Sequence, residues 1–475
     1  MATALSYSRV RYQKLRNLSR FSKILRLQSS RCCQERDNLP EFGSSVLSEL
    51  SMIDPDLDVG KKLANPIELQ KNIEARGLEN INIQKLAIKY GRMMKIKQEK
   101  DALDQERKML NNQIQTMIKE KIQNEEIENV KVKARGLREQ HDTVVKSLQD
   151  VHHEVNLMAF GLPNTLSLLT PVDNEEVLEV FGSTEIKQKK DNFSHIEVAE
   201  KTDLIKFSSV GDQAFYFTAE AAELHQHLLS YFSTRVVDQG FIPMKTPDFF
   251  KDFVIEGCGI HKEMAYLMHQ PYVDQGIQYC VLGTSEASFA AYLTKMNISQ
   301  KSLPLQLMSV GPSYSPVRKS LYPGLFSAAQ TSKVNLLGVN STSEESYSTF
   351  TELQQLILEM YKQLEIPLRL ILVPAHKLKL SEEIRAELQI WTPSLQEYLS
   401  VASISVLGDY ISRRLAVGPV GIPEFQASTL HMVYGEVLDT TRLIAVLLEH
   451  GSLDKKAGTY QMMKSNIFNQ FNNDV

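Results

Sequence analysis

The chain has 475 residues, 43% of them apolar and 23% charged, and its formal net charge is −4 at pH 7. This length exceeds one typical domain, and the composition is that of a soluble globular protein rather than a disordered one. The negative balance excludes a uniformly basic nucleic-acid binder, so any such binding requires a local cationic patch. The sequence also lacks an apolar run long enough to span a bilayer.

The N-terminal segment 1–34 is rich in Arg, Lys and Ser and contains no acidic residue. Leu15, Leu18, Ile24 and Leu25 are interspersed among the cations, which allows an amphipathic basic helix. This composition is typical of a mitochondrial transit peptide and predicts the mitochondrial matrix as the location. A basic arm that binds RNA or lipid directly is the alternative.

A helical hairpin is predicted at 66–160, after a linker at 35–65. Apolar residues recur at seven-residue intervals in two seams, and a polar break around residues 123–126 separates the seams. Heptad seams joined by a short polar link indicate an antiparallel coiled coil. The seam residues are Ile96, Leu103, Leu110 and Met117, then Val130, Leu137, Val144, Val151 and Met158. Cations are frequent on the exposed faces near the predicted tip, where a solvated charged surface is the simplest interpretation.

Proline at Leu162-Pro163-Asn164 ends the second helix, because proline cannot continue a helix. The polar and irregular stretch 161–196 is predicted to be a second linker. Residues 215–217 and 219–237 then predict a strand followed by a long amphipathic helix. This helix leads into 240–247, a Gly-Phe-Ile-Pro-Met-Lys-Thr-Pro segment.

The stretch 279–337 contains three segments that favour strands, joined by a turn-rich loop. Its motifs are Thr284-Ser285-Glu286, Tyr314-Ser315-Pro316-Val317 and a segment from Gly324 to Asn335. A buried Glu286 without a cationic partner is expected to be protonated, since burial disfavours the charged carboxylate.

These motifs, in this order, resemble those of seryl-tRNA synthetases, class II enzymes that couple serine to ATP and then to tRNA. The resemblance covers nearly the whole chain after residue 65 and implies an α+β protein. It implies an N-terminal antiparallel coiled-coil arm, followed at 197–475 by a class II synthetase-like antiparallel sheet domain with flanking helices. Thr284 and Glu286 match the residues that grip the serine amino group in the family. The candidate dimer-interface residues, which match the family's interface motif, are Gly240, Phe241, Pro243 and Pro247.

The same resemblance identifies family residues that this chain lacks. Serine replaces two arginines, valine and serine replace two glutamates, threonine replaces the phenylalanine that stacks on adenine, and asparagine replaces the glutamate that reads the serine hydroxyl. Valine also replaces a polar asparagine. The positions of these losses are Ser315, Val317, Ser327, Thr331, Asn335, Ser400 and Val406. Preorganised cations stabilise adenylate formation, and removing one such donor typically costs about 2.7 to 4 kcal/mol of barrier. The pattern therefore predicts no catalytic residue, no metal and no cofactor.

The family's third motif matches this chain with only Gly435, Leu438 and Arg442 retained. Arg442 either binds a triphosphate or, at the start of a helix, satisfies nearby carboxylates. Arg442 is therefore a candidate relic of a substrate pocket, together with Thr284 and Glu286.

The resemblance implies a non-catalytic paralogue in which the arm and the dimer face remain usable. In the family the hairpin contacts tRNA, so the cations of the arm become candidate RNA-binding residues. These candidates are Lys119, Lys121, Lys131, Lys133, Arg135 and Arg138. The expected partners are a mitochondrial seryl-tRNA synthetase, in a heterodimer, and RNA, with mitochondrial tRNA as one candidate.

Two other functions remain open at this point. One is a rewired, active ATP-dependent seryl-tRNA synthetase or ligase. Its working residues would be Glu286, Arg442, Arg318 and Lys319. The other is a stand-alone mitochondrial RNA-binding regulator without a synthetase partner.

Overall fold

A computed structural model of the chain describes residues 55–79, 81–119, 124–182, 193–208, 210, 214–268, 278–316, 322–420, 429–453 and 460–461. The predicted transit peptide and most of the first predicted linker lie outside these ranges, as do Lys121, Val317, Arg318 and Lys319. No helix within the described ranges is both long enough and apolar enough to cross a membrane.

The N-terminal arm is a pair of long helices that pack side by side. The helices before the body are α1 (Val59–Ala64), α2 (Pro66–Ala75), α3 (Ile83–Lys119) and α4 (Asn124–Phe160). An ion pair between Lys89 and Glu154 joins α3 to α4, and His141 Nε2 of α4 lies 3.1 Å from Asp104 Oδ1 of α3. The residue numbers of the paired side chains increase along α3, from 89 to 104, and decrease along α4, from 154 to 141. The two helices are therefore antiparallel. The seam residues are half-buried or buried, and the predicted coiled-coil arm is confirmed.

The body is built on an eight-stranded, mostly antiparallel sheet. Its strands are β1 (Glu176–Phe181), β4 (Ile242–Met244), β9 (Leu305–Tyr314), β10 (Gln330–Asn340), β11 (Leu368–Leu372), β12 (Ile384–Thr392), β13 (Glu397–Gly408) and β15 (His431–Asp439). Their spatial order is β1-β11-β12-β13-β15-β10-β9-β4. Neighbours are antiparallel, except that β4 at one edge runs parallel to β9.

Shorter strands form small sheets around the main one. They are β2 (Ile205–Phe207), β3 (Phe215–Phe217), β5 (Phe249–Lys251), β6 (Tyr266–Met268), β7 (Tyr279–Val281), β8 (Asn297–Ser299), β14 (Gly418–Val420), β16 (Ser452–Leu453) and β17 (Tyr460–Gln461). The pairs are β2 with β3, β8 with β14 and β16 with β17, and β7 lies between β5 and β6. The predicted class II fold, an antiparallel sheet with flanking helices after a helical arm, is confirmed.

Helices cover the apolar face of the main sheet. The helices of the body are α5 (His195–Thr202), α6 (Ala219–Asp238), α7 (Asp252–Gly257), α8 (Glu286–Leu293), α9 (Ser343–Lys362), α10 (Tyr410–Arg414) and α11 (Thr440–His450). Phe232 of α6, Tyr361 of α9 and Leu447 of α11 are fully buried in one apolar cluster with the sheet. The Tyr361 hydroxyl donates to the Val437 carbonyl (3.0 Å), so its one polar group is satisfied inside that cluster.

The opposite face of the sheet carries a polar row across five strands. Strand register aligns Glu387 with Ser403, Ser403 with Glu436, Glu436 with Asn335, and Asn335 with Ser309. Residues opposite one another in register point to the same face, so these side chains line one surface. This surface forms the floor of the candidate site.

Three predictions need correction. The second predicted linker, 161–196, contains β1, which pairs with β11 at the sheet edge; its residues are exposed, so its composition resembles a loop. The first predicted linker, 35–65, contains α1. The first of three predicted strands in 279–337 is strand only over β7 and then becomes α8. A capping box between Ser285 and Ser288 starts that helix.

Arg76 joins the base of the arm to the body. It is 5% exposed and follows α2. Its guanidinium donates to the carbonyls of Lys379 (2.8 Å) and Glu382 (2.6 Å), and to the Asn72 side chain (2.8 Å). The arm is therefore fixed to the loop 379–382, which is one wall of the candidate site.

Candidate functional site on the polar face of the sheet

Thr284 lies between β7 and α8, at one end of the polar row. Its carbonyl accepts a hydrogen bond from Asn335 Nδ2 (2.9 Å). Its buried hydroxyl lies 3.4 Å from that of Thr246, which lies 3.1 Å from the Ser309 hydroxyl. A Cβ on Gly311 would lie 2.3 Å from Thr284 Oγ1, so only glycine fits beside it. The structure therefore brings Thr284 together with Asn335, where the resemblance predicts the loss of a family glutamate.

Glu286 is the first residue of α8 and is 3% exposed. Ser381 Oγ donates to Glu286 Oε1 (3.2 Å), and Lys379 Nζ lies 3.8 Å from Oε2. Burial raises the pKa of the Glu286 carboxyl to about 7, although Lys379 opposes this shift. The expected direction of the shift is therefore correct. The assumption that Glu286 has no cationic neighbour is wrong, because the loop 379–382 carries Lys379 to it.

A charged network joins β10 to β15. Lys333 Nζ lies 2.8 Å from Glu436 Oε2 and 3.9 Å from Asp439 Oδ2. The Asp439 carboxylate also accepts hydrogen bonds of 2.8 Å from the hydroxyls of Thr331 and Thr441. Burial works against ionisation of Asp439, but nearby cations, chiefly Lys333, outweigh it and lower the pKa. Thr331, where the resemblance predicts the loss of a phenylalanine, is thus part of a hydrogen-bonded network.

A second network joins β12 to Glu382, which lies two residues before this strand. Arg385 Nη1 lies 3.1 Å from Glu382 Oε2, and Arg385 Nε lies 3.1 Å from Glu387 Oε1. Ser405 Oγ donates to Glu382 Oε1 (2.8 Å). Burial opposes the charge of Glu382, but Arg385 and then Lys379 outweigh burial and lower its pKa. The Arg385 guanidinium is therefore held between two carboxylates of the same chain.

Arg442 lies in the first turn of α11. Its Nη1 donates to the Ser400 carbonyl (3.0 Å), and its Nε lies 3.9 Å from Asp439 Oδ2. The Asp439 carboxylate also caps the helix by accepting from the Arg442 backbone N–H (3.3 Å). Of the two roles considered for Arg442, the observed contacts match an arginine that satisfies groups at a helix start.

The other positions at which the resemblance predicts a lost family residue are dispersed. Ser315 and Ser327 lie at the same end of the β9–β10 pair, where the Ser315 N–H donates to the Ala329 carbonyl (2.9 Å). The Ser327 hydroxyl donates to the Tyr322 carbonyl. Val406 is fully buried in the apolar core. Within the described ranges, no group of three His, Cys, Asp or Glu side chains is arranged to hold a metal ion.

Lys245 is a cation that the sequence interpretation missed. It follows β4, and its Nζ lies 3.1 Å from the position of a Cβ on Gly311, close to the Thr284 hydroxyl. The sequence predicts only dimer contacts for the segment 240–247. No local signal indicates that the side chain of Lys245 reaches the pocket, because only the β4–β9 pairing puts it there.

The candidate dimer residues lie along the edge of the main sheet. Gly240, Pro243 and Pro247 are exposed, and Gly240 has a φ of +97°, which favours glycine. Phe241 is buried in the apolar core and is not available at that surface. β4 is hydrogen-bonded on one side, to β9.

The candidate RNA-binding residues of the arm are solvent-exposed. Those within the described ranges are Lys119, Lys131, Lys133, Arg135 and Arg138. Two of them share an acidic neighbour, since Lys131 Nζ lies 3.3 Å and Arg135 Nη2 lies 3.5 Å from the Glu128 carboxylate. The glutamate therefore neutralises part of the tip.

A cavity of about 1070 Å³ lies elsewhere, between α1, α2 and the body. Arg413 on its wall pairs with Asp409 (2.7 Å) and Asp56 (2.6 Å). Lys62 donates to the Pro163 carbonyl (2.7 Å). The lining of the cavity includes neither Thr284 nor any residue of the polar row, and Arg413 and Lys62 are engaged with the chain itself.

Comparison with known proteins agrees with this architecture. Residues 266–451 match the tRNA synthetase class II core domain (G, H, P, S and T). The chain is 28% identical over 427 residues to "Serine--tRNA synthetase-like protein Slimp" of Drosophila melanogaster, covering 88% of this chain and 90% of that protein. It is 25% identical over 456 residues to the mitochondrial serine–tRNA ligase of Bos taurus, covering 90% and 84% of the two chains.

Solved structures share the fold. The seryl-tRNA synthetase of Pyrococcus horikoshii complexed with ATP gives a TM-score of 0.73 at 20% identity, covering 85% of this chain and 95% of that one. The cytoplasmic serine–tRNA ligase of Naegleria fowleri in complex with AMP gives a TM-score of 0.71 at 16% identity, with 86% and 99% covered. The resemblance to seryl-tRNA synthetases inferred from the motifs is thereby confirmed, and one relative is itself named synthetase-like.

Proposed function

We propose that this chain, a seryl-tRNA synthetase-like protein, is a non-catalytic mitochondrial subunit that binds RNA and assembles with a mitochondrial seryl-tRNA synthetase. One observation carries the proposal. On the polar face of the sheet, the chain's own carboxylates pair with two cations that could otherwise hold a triphosphate. Lys333 pairs with Glu436, and Arg385 pairs with Glu382 and Glu387.

Serine activation needs the opposite charge arrangement. The reaction builds negative charge at phosphorus, and preorganised cations or metal ions stabilise that charge. A nucleotide that used Lys333 or Arg385 would have to separate each from a carboxylate, and those carboxylates would then repel it. The positions of two family arginines carry Ser315 and Ser327 instead. The site also suits Mg²⁺ poorly, because the carboxylates that could coordinate the ion already pair with Lys333 and Arg385.

The purified chain is expected to show no serine-dependent exchange of pyrophosphate into ATP above the background without serine. A mitochondrial seryl-tRNA synthetase assayed under the same conditions serves as the positive control. Exchange that requires serine and survives repurification of the chain would refute the non-catalytic assignment.

The proposed partner surface lies around β4. The adjacent sheet of β5, β7 and β6 exposes apolar side chains, among them Phe249 and Leu267. Exposed apolar patches beside a free strand edge are typical of protein interfaces. Because a paralogue inherits a two-fold interface, it can replace one protomer of the synthetase dimer.

Changing Phe249 to aspartate should reduce the synthetase recovered with the tagged chain from mitochondria by about tenfold or more, since a buried aromatic anchor often dominates an interface. Val180→Asp is the matched control. Phe249 and Val180 are 54% and 58% exposed, and Val180 lies on β1 at the opposite edge of the main sheet. Thermal unfolding of both variants establishes that they fold.

Equal recovery with Phe249→Asp and with the unchanged chain would reject this surface. Recovery of the unchanged chain without any synthetase would reject the heterodimer itself.

The mitochondrial assignment draws on two kinds of support. Segment 1–34 has the composition of a transit peptide. The ligases of Bos taurus and Mus musculus that the chain resembles are named as mitochondrial. The RNA-binding assignment draws on the long, cation-bearing arm, since distributed cations on a projecting surface favour a nucleic-acid backbone.

A second candidate function is retained binding of an amino acid, as a step toward rewired ligase chemistry. Three observations favour it. Lys245 lies beside Thr284, and two buried acceptors of the candidate site, Glu286 Oε2 and Asn335 Oδ1, have no hydrogen-bond partner among the described residues. Titration calorimetry with serine tests binding directly, and the pyrophosphate exchange assay separates binding from activation.

A further inference from the structure

The base of the arm is its most cationic part. Within α3, the stretch 83–98 contains basic side chains and no Asp or Glu. These side chains are Lys85, Lys89, Arg92, Lys95 and Lys97. The remainder of the arm carries both acidic and basic side chains, so its base has a higher density of positive charge than its tip.

Three of these cations form one surface, which we call the basal face: Lys85, Lys89 and Arg92. They are spaced at i, i+4 and i+7, so they follow one stripe of the helix over about 10 Å of its axis. Together with Asn82, Gln84 and Ile88 they line a groove of about 420 Å³. Lys85 and Arg92 are exposed, and Lys89 is half-buried.

All three cations of the basal face act electrostatically on one carboxylate. Glu154 of α4 pairs with Lys89 across the arm. The hydrogen bond from Lys89 lowers the pKa of the Glu154 carboxyl, and the charges of Arg92 and Lys85 lower it further. An anion placed at this point is therefore stabilised by the whole basal face rather than by a single lysine.

We propose that the phosphate backbone of a bound RNA duplex contacts the arm at the basal face, and that the tip contributes less to the affinity. The inference rests on the proposed function, because it assumes that the chain binds RNA. Charge complementarity selects the occupant, since a phosphodiester backbone supplies closely spaced anions along a path that a straight cationic stripe can follow. The contact is expected to be insensitive to sequence.

The test uses the full chain and a fluorescent RNA hairpin with a duplex stem of about 16 base pairs. A basal variant carries Lys85→Gln and Arg92→Gln, and a tip variant carries Lys133→Gln and Arg138→Gln, so both lose the same charge from exposed positions of the arm. The basal variant is expected to bind on the order of tenfold more weakly and to reduce the salt dependence by about 1 to 2 in slope. The tip variant is expected to change affinity less than about twofold.

A third variant, Glu154→Gln, is expected to change the affinity for RNA in the opposite direction to the basal variant. Removing the carboxylate from the centre of the basal face should tighten RNA binding, whereas a purely structural role of the ion pair would only lower thermal stability. Tighter binding supports the inference, and unchanged or weaker binding opposes it.

The remaining outcomes are distinguishable. Loss of affinity in the tip variant but not in the basal variant overturns the inference and leaves RNA binding intact. Failure of the unchanged chain to bind the hairpin rejects the RNA-binding part of the proposed function, and the inference with it. Binding of anionic phospholipid vesicles by the basal face, with no RNA binding, assigns the surface to a membrane and overturns the inference.

Discussion

Replacing His195 with alanine should lower the free energy of unfolding by about 3 to 5 kcal/mol, the largest effect expected of any substitution considered for this protein. His195 is 0% exposed and begins α5. Its Nδ1 lies 2.8 Å from Glu449 Oε1, and its Nε2 accepts from the Leu325 backbone N–H (3.1 Å). Because Leu325 can only donate, the ring is the neutral tautomer that carries its proton on Nδ1.

The cost of the substitution has several sources. Glu449 is a buried carboxylate in α11 that also accepts from the Ser394 N–H (3.0 Å) and hydroxyl (2.8 Å). Without the imidazole it loses one charge-assisted donor, and the Leu325 N–H loses its acceptor. A buried unsatisfied group costs about 1 to 3 kcal/mol. The lost ring also leaves a cavity beside Phe326, whose ring centre lies 4.5 Å from that of His195.

Chemical denaturation of the two proteins measures the difference. His261→Ala is the matched control, since His261 is exposed and its loss should change stability by less than about 0.5 kcal/mol. A stability of His195→Ala equal to that of the control would show that the buried pair contributes nothing.

Replacing Glu286 with glutamine should stabilise the protein by about 3 kcal/mol at pH 8. Burial raises the pKa of this carboxyl to about 7, so at pH 8 the folded protein holds a buried carboxylate that water would solvate better. Glutamine removes the charge and can keep the contact with Ser381. A residue maintained for its charge would not be expected to show this gain.

The pH dependence follows from the direction of the shift. Between pH 4.5 and about 7, the folded state binds a proton at Glu286 that the unfolded state has released, so wild-type stability falls as pH rises through this window. The advantage of Glu286→Gln should be small near pH 5, grow up to about pH 7 and remain constant above it. Glu383 also has a pKa of about 7, raised by burial, but it is present in both proteins and cancels in the difference.

Parallel urea titrations at pH 5 and pH 8 provide this measurement. If the two proteins differ by the same amount at both pH values, the glutamine acts through packing, and the assignment of a destabilising buried charge is incorrect.

Much of the architecture is encoded locally and could be predicted from the sequence. The heptad seams of the arm depend only on side-chain periodicity, and Pro163 marks the helix end because its ring cannot continue a helix. The strand β1 was not predicted, because an edge strand with exposed residues lacks the alternation of apolar and polar residues that burial of one face imposes. α8 was interpreted as strand because its residues are almost all apolar or small, which hides helical periodicity.

The pairing of charges in the candidate site could not be predicted. Lys333 and Glu436 are far apart in sequence, and a bulge in the β10–β15 register at Val334 sets which side chains meet. The contact of Lys379 with Glu286 depends on where a loop crosses the site. The replaced residues indicated what the pocket lacks, but only the strand register indicates what now occupies it.

The clamp formed by Arg76 has an evolutionary consequence. The buried Arg76 guanidinium donates to the carbonyls of Lys379 and Glu382, so the arm and one wall of the candidate site share hydrogen bonds. A lineage that lost the arm would leave those two carbonyls without their arginine donor. Because these hydrogen bonds join the arm to the body, we expect evolution to retain or lose the two parts together, whatever the arm binds.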